Sequence, residues 1–93
     1  MNILQRLISA IRYLFGYRKS SLEELAVVLD KKAAANPEKL DWRNSIVDLL
    51  KLTGQDSSLA ARKAMAKELG YQGAYGSADM NIWLHRQVMQ KLR

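Results

Sequence analysis

Residues 41–69 have the sequence DWRNSIVDLLKLTGQDSSLAARKAMAKEL. The pattern predicts two short amphipathic helices, each with its own start and stop signals. Asp41 is predicted to be the N-cap of the first helix, because its carboxylate can accept from the free backbone N–H groups of a first turn. Three consecutive polar residues, 56–58, are alternative caps for the second helix. Gly54 and Gly70 follow the two apolar runs and are suited to the left-handed conformation that closes a helix. The stretch therefore predicts two antiparallel helices with a short connection.

The segment before this stretch also has the signals of a helix. Residues 22–34 carry an apolar face at helical spacing. Ser20 and Ser21 each have a glutamate three residues later, which is the pattern of a capping box. Asn36 and Pro37 end the helix, because proline disfavours a helical conformation in the residue before it. The segment is therefore predicted to be a helix followed by a loop.

Residues 78–92 are predicted to form the last helix, with Ser77 as its N-cap. The apolar side chains of this helix define one arc: Ile82, Leu84, Val88, Met89 and Leu92. Asn81 and His85 lie within that arc, and Trp83 lies on the other side. Two polar groups are therefore predicted to face inward and a large aromatic outward, and such departures from the pattern are where function is worth seeking.

The composition is that of an ordinary globular chain with one domain. The chain has 93 residues, of which 48% are apolar and 26% are charged. It has no cysteine, which excludes disulfides, thiolate catalysis and a cysteine-ligated zinc site and fits a reducing, cytoplasmic compartment. No stretch approaches the ~20 uninterrupted apolar residues that a membrane span needs.

Residues 2–15, NILQRLISAIRYLF, have the clearest amphipathic pattern in the chain. The apolar side chains fall within an arc of roughly 160°: Ile3, Leu4, Leu7, Ile8, Ala10, Ile11, Leu14 and Phe15. The net charge of the whole chain is +6, and residues 1–19 hold four basic side chains and no acid. The basic character therefore belongs to the N-terminal segment rather than to a nucleic-acid-binding body.

A helix this one-sided must cover something, and three arrangements are open. It packs on the core of its own domain, pairs with a second copy or a partner protein, or lies in a membrane interface with its cations toward anionic lipid. The second and third are favoured. The predicted interaction residues are then seven apolar residues and two cations: Ile3, Leu4, Leu7, Ile8, Ile11, Leu14, Phe15, Arg6 and Arg12. Removing residues 1–19 is expected to leave a folded body without self-association or lipid binding.

Trp83 is a further predicted interaction residue. An exposed tryptophan beside Met80 resembles an interface anchor, because tryptophan is enriched at binding hot spots. The alternative is that the tyrosine-containing loop at residues 71–76 or the N-terminal helix covers Trp83. A large loss of stability on truncation of the side chain would indicate a place in the core.

Arg62, Asn81 and His85 are predicted to face inward and can converge into a polar cluster. A structural hydrogen-bond network is favoured over a binding pocket, because buried polar groups need partners in any fold. The chain has one histidine, no cysteine and no carboxylate three or four residues from His85. No metal site, cofactor site or catalytic residue is therefore predicted.

A nucleic-acid-binding function is the alternative to an interaction module. Residues 61–92 can be laid onto a helix-turn-helix, with Asn81, His85, Arg86 and Lys91 on the second helix. The six or seven residues between the helices exceed the usual tight turn, and the second helix has few cations near its start. Nucleic acid is therefore the less favoured partner.

The chain resembles an uncharacterised, mainly bacterial family of small helical proteins in three motifs: LDWRNSIVDLLKL, DSSLAARKAMAKELGY and MNIWLHRQVMQKL. This is the domain-of-unknown-function family thirty-five ninety-seven, and the resemblance covers roughly residues 22–92. The resemblance implies a small helical domain preceded by a short apolar and basic segment. The family pattern that the chain resembles includes an Ala/Pro-rich linker after that segment, and this chain lacks the linker. The first helix is therefore expected to lie closer to the body. No activity or site residue is carried over.

The sequence thus predicts an all-α fold, a compact small helical bundle of about four helices in residues 20–93 with an additional amphipathic helix in residues 1–19. The favoured function is a non-catalytic interaction module in the cytoplasm, peripheral at the membrane if its first helix meets lipid. The expected partners are a second copy of the chain, another protein or an anionic membrane surface.

Overall fold

A computed structural model describes residues 3–13 and 22–92, and these two ranges contain five helices and no strand. The helices are α1 (Ile3–Tyr13), α2 (Leu22–Ala35), α3 (Ile46–Leu52), α4 (Leu59–Leu69) and α5 (Ala78–Leu92). The prediction of an all-α fold with four body helices and an N-terminal helix is confirmed. The capping box predicted at residues 20–24 begins outside the described residues.

Most predicted helix ends are confirmed by their local hydrogen bonds. Ser58 caps α4, and its Oγ accepts from the backbone N–H of Ala61 at 3.1 Å. Gly70 closes the same helix with a φ of 80°, in the left-handed region. Ser77 accepts from the backbone N–H of Met80 at 3.1 Å at the start of α5. Short polar side chains and glycine therefore set these boundaries, as their chemistry predicts.

The predicted start of α3 is wrong by four residues. Ser45, not Asp41, is the N-cap, and its Oγ accepts from the backbone N–H of Asp48 at 3.2 Å. Asp41 instead begins a turn over residues 42–44, and its own N–H donates to a carboxylate oxygen of Asp48 at 2.8 Å. The turn still buries the side chain of Trp42, so this residue joins the core without belonging to the helix.

Buried apolar side chains from all five helices and from the segment before α3 form one core. The largest contributions come from Leu7, Ile11, Leu25, Leu29, Trp42, Ile46, Leu49, Leu50, Met65, Met80, Leu84, Val88 and Leu92. Helix α5 packs against α1, α3 and α4 and therefore lies at the centre of the bundle. None of the helices within the described ranges has the length and apolar content that crossing a membrane requires.

The structure corrects the predicted role of two residues of α1. Leu7 and Ile11 are 1% and 0% exposed and belong to the core of their own chain, where α1 packs against α4 and α5. Ile8 is half-buried against that core, and Arg6 is exposed. Leu7 and Ile11 are therefore not available to a partner in this conformation. Leu14 and Phe15 lie outside the described residues, and for Ile3, Leu4 and Arg12 the structure describes the backbone alone, so the predictions for these five side chains stay predictions.

The core-facing side of α5 also differs from the prediction. Met80 is fully buried, whereas Ile82 is 55% exposed. The buried stripe follows every fourth residue from Met80 to Leu92, so the helix is turned by roughly 60° relative to the predicted arc. The turn moves Met80 into the core and brings Ile82 to the surface. The prediction of Met80 as the neighbour of an exposed anchor is therefore wrong.

Candidate functional site

The predicted polar cluster divides into two separate contacts. Arg62 donates from Nη1 to Oδ1 of Asn81 at 2.8 Å and from Nε to the backbone carbonyl of Ser57 at 3.1 Å. Both Arg62 and Asn81 are half-buried. The pair ties the start of α4 to α5, and its hydrogen bonds explain why two polar side chains lie on packed faces. His85 does not take part in these bonds.

His85 instead connects α5 to the turn before α3. Its Nε2 lies 2.8 Å from the backbone carbonyl oxygen of Trp42, and the residue is buried. A carbonyl oxygen only accepts, so Nε2 carries the proton and donates. His85 therefore fixes the position of the turn relative to α5.

Trp42 is also held by Asp30 of α2. The indole N–H donates to Oδ1 of Asp30 at 3.0 Å, and Nη2 of Arg43 donates to Oδ2 of the same carboxylate at 2.7 Å. The Arg43 guanidinium lies 4.6 Å from the centroid of the Trp42 ring, within the range of a cation–π contact. These three residues join α2 to the turn.

The Arg43 guanidinium, and after it the Trp42 indole, lower the pKa of Asp30 from its ordinary value of 3.8, because both donate hydrogen bonds to the ionised carboxylate. The side chains of Asp30 and Arg43 are each 54% exposed. Water therefore screens the ion pair, and its main effect is to orient Arg43 rather than to stabilise the fold.

A groove runs between this turn and α5, with a volume of about 520 Å³. We call it the α5 groove. Its lining residues are Arg43, Asn44, Ile82, His85, Arg86, Met89 and Gln90. The turn contributes the first two and α5 the others, so the hydrogen bond from His85 to Trp42 joins its two walls.

The charges of the α5 groove are all of one sign. Arg43 and Arg86 are its charged residues, and none of the described lining residues is acidic. Arg43 is paired with Asp30 at 2.7 Å. Arg86 is exposed and has no hydrogen bond or ion pair with the described part of the chain. The groove therefore has a surplus of N–H donors over acceptors.

The apolar part of the groove is Ile82 and Met89. Ile82 is more than half exposed, and Met89 is half-buried at the edge of the core. The two residues are seven positions apart on α5, so they lie on one side of the helix, with Arg86 between them. The groove thus combines an apolar strip with cationic donors.

The structure does not place Trp83 on an open surface. Its ring centroid lies 5.1 Å from that of Tyr71, and Trp83 is half-buried against the core. Tyr71 also contacts the ring of Tyr75 at 5.5 Å. The loop after α4 therefore covers Trp83, as the alternative interpretation expected. The prediction that Trp83 is exposed is therefore wrong, and its role in an interface stays a prediction.

A second, smaller recess of about 430 Å³ lies between α1 and α4. Its floor is formed by the buried side chains of Leu7, Leu50 and Met65, and Arg6 and Asp56 lie at its edge. No group of three or more His, Asp or Glu side chains in the described ranges is arranged to hold a metal ion.

Sequence reasoning missed the α5 groove because its two walls are about forty residues apart in the chain. Arg43, Asn44, Arg86 and Gln90 resemble ordinary solvated residues when each is considered on its own helix or turn. The available signal was Ile82, which becomes an outward residue once Met80 is taken as a member of the core stripe.

Two comparisons with known proteins gave a match. The DUF3597 model, described as a domain of unknown function, matches residues 16–93. A conserved protein of unknown function from Rhodopseudomonas palustris, known from its solution structure, is 42% identical, and the match covers 99% of this chain and 90% of that protein with a TM-score of 0.71. None of the curated proteins matches the chain. The resemblance found in the three motifs is confirmed, and the chain belongs to the DUF3597 family.

Proposed function

We propose that this domain is a non-catalytic interaction module that binds a protein partner in the α5 groove. The observation that carries the proposal is the exposure of Ile82 beside Met89 in a groove whose described lining has two arginines and no acid. An exposed apolar side chain next to arginine has the composition typical of an interface centre. The absence of cysteine fits a reducing compartment, and we place the module in the cytoplasm.

The contact surface in this proposal is on α5 and not on α1. Leu7 and Ile11 already fill the core of their own chain, so binding through them would require α1 to leave the bundle. Ile82 needs no such rearrangement, because its side chain is exposed in the folded domain. Binding in the α5 groove therefore keeps the core intact.

The chemistry of the groove supports a non-catalytic role. Its one imidazole, His85, donates from Nε2 to a backbone carbonyl. The described lining holds no carboxylate, thiol or hydroxyl group. The groove thus offers groups that bind and orient a ligand, without a nucleophile or a pair of groups for general acid–base catalysis.

The proposal is tested by selecting random twelve-residue peptides, displayed on phage, against the wild-type domain. The binders are then tested on Ile82→Asp and on Val27→Asp, a matched control because Val27 of α2 is 56% exposed and does not line the groove. We expect binders that are lost on Ile82→Asp and kept on Val27→Asp. The proposal fails if no binder depends on Ile82, provided that both variants keep the helical circular dichroism of the wild type.

Nucleic acid is the second candidate function, because two arginines without a lining acid also fit phosphate groups. Asp79, exposed in the first turn of α5, opposes this candidate by repelling phosphate at the end of the helix that would enter a groove of DNA. A gel shift with duplex DNA at low salt distinguishes the two. A shift that Arg86→Glu abolishes and that weakens steeply with added salt would support nucleic acid instead.

A further inference from the structure

We infer that the partner of the α5 groove is an acidic segment, in which one apolar side chain is flanked by aspartate or glutamate. The inference rests on the proposed function and names the chemistry of its ligand. The apolar side chain would contact Ile82 and Met89, and the carboxylates would accept from Arg86 and Arg43.

The charge of Arg86 favours an acidic ligand. This guanidinium has no partner in the described part of the chain, and it lies on the same side of α5 as Ile82. A ligand that covers Ile82 therefore takes water away from Arg86. A carboxylate replaces that water with a bidentate, charge-assisted pair of hydrogen bonds. A neutral or basic segment would leave the guanidinium covered and unpaired, which disfavours binding.

Arg43 is held in one orientation at the wall of the groove. Asp30 holds one of its terminal nitrogens at 2.7 Å, and the guanidinium lies over the Trp42 ring. A guanidinium has five N–H donors in one plane, so the remaining donors stay in a fixed direction at the wall of the groove. Asp30 reduces the net charge at this wall, which leaves Arg43 as an oriented donor and Arg86 as the unpaired cation.

The positive charge is local to the groove. Residues 22–92 contain ten lysines and arginines and nine aspartates and glutamates, so the body is close to neutral. The described lining of the groove nevertheless holds two arginines and no acid. The cationic groove is thus a feature of the fold and not of the overall composition. A volume of about 520 Å³ admits a few side chains of a ligand, which is enough for one apolar side chain and its acidic neighbours.

The inference is tested on the peptides that depend on Ile82 in the selection described above. We expect them to be enriched in Asp and Glu around an apolar residue. One such peptide, labelled with fluorescein, is titrated against the wild type, Arg86→Glu and Lys63→Glu. Lys63 is a matched control, because it is exposed, lies on α4 and does not line the groove. Arg86→Glu should weaken the affinity about tenfold or more, and Lys63→Glu should leave it within about twofold.

A reversal of charge completes the test. The same peptide with lysine in place of its acids should bind Arg86→Glu better than it binds the wild type. The inference is overturned if the groove-dependent peptides are neutral or basic, or if Arg86→Glu binds the acidic peptide as tightly as Lys63→Glu does. In both cases the dependence on Ile82 still supports the proposed function. If no peptide depends on Ile82, both fail, and duplex DNA that binds in an Arg86-dependent way would identify a different ligand.

Discussion

Helices α1 and α5 are both amphipathic, but the structure assigns their apolar residues to different surroundings. Leu7 and Ile11 of α1 are almost completely buried by α4 and α5. Ile82 of α5 is 55% exposed, although Leu84, two residues later, is fully buried. A strong amphipathic pattern therefore shows that a helix packs against something. It does not show whether that partner is the rest of the same domain or another molecule. A contact surface is better indicated by an apolar residue that lies outside the core stripe.

The largest effect expected from this comparison is on α1. Leu7→Ala should lower the free energy of unfolding by about 2–5 kcal/mol, because it leaves a cavity between α1 and the rest of the core. Urea denaturation followed by circular dichroism measures the change. Ser9→Ala, at an exposed position of the same helix, is the control and should have little effect. A Leu7→Ala variant as stable as the Ser9 control would mean that α1 does not contribute to the core.

The next effect concerns the buried side of α5. His85→Phe removes the donor to the carbonyl of Trp42 and should lower the free energy of unfolding by about 1–3 kcal/mol, since that oxygen is left without its partner. His85→Gln keeps an N–H donor and should lose less. The same denaturation measurement compares them. Equal stability of the two variants would show that the hydrogen bond does not hold the turn against α5.

A smaller, pH-dependent effect on the free energy of unfolding is expected from Asp30, which pairs with Arg43 in the wall of the groove that the turn forms. The pKa of Asp30 is lowered in the folded state, so its contribution to stability is fully present above the ordinary value of 3.8 and is lost as pH falls through the lower, folded value. Wild type should therefore be more stable than Asp30→Asn at neutral pH and lose this advantage in acid. Urea denaturation at several pH values tests this, and a difference that does not change with pH contradicts it.

The smallest effect is predicted for Ile82. Ile82→Ala should change the free energy of unfolding by no more than about 0.5 kcal/mol, because the side chain is exposed. Leu84→Ala on the same helix should lose about 2–5 kcal/mol. Thermal and urea denaturation of this pair measure the contrast between the two sides of α5. A comparable loss for both variants would mean that Ile82 is packed and not open to a ligand.

Local signals predicted most of the fold. Ser58, Gly70 and Ser77 mark helix ends through hydrogen bonds and backbone conformations that involve only residues a few positions away. Such local contacts can be predicted from the sequence alone. The start of α3 was missed because Asp41 and Ser45 are both good caps, and the choice depends on how Trp42 reaches the core. Periodicity therefore located the helices but did not always locate their first residue.

The site was less predictable, for a physical reason. Periodicity shows which residues share a face of a helix, but not which neighbour that face meets. Leu7 was correctly placed on the apolar side of α1, yet its position against α4 and α5 depends on the whole bundle. Arg43 and Arg86 become neighbours only after the turn and α5 are packed together. The expectation that α1 lies close to the body is confirmed by its packing against α4 and α5.

The attachment of Trp42 has a consequence for the kinetics of binding. Its indole is held by Asp30 and its carbonyl by His85, so the spacing of the two walls is set before any ligand arrives. An incoming segment then meets a recess that needs no rearrangement of the backbone, and little chain motion has to be frozen on encounter. Association is therefore expected to be one bimolecular step, governed by diffusion and by long-range attraction between opposite charges.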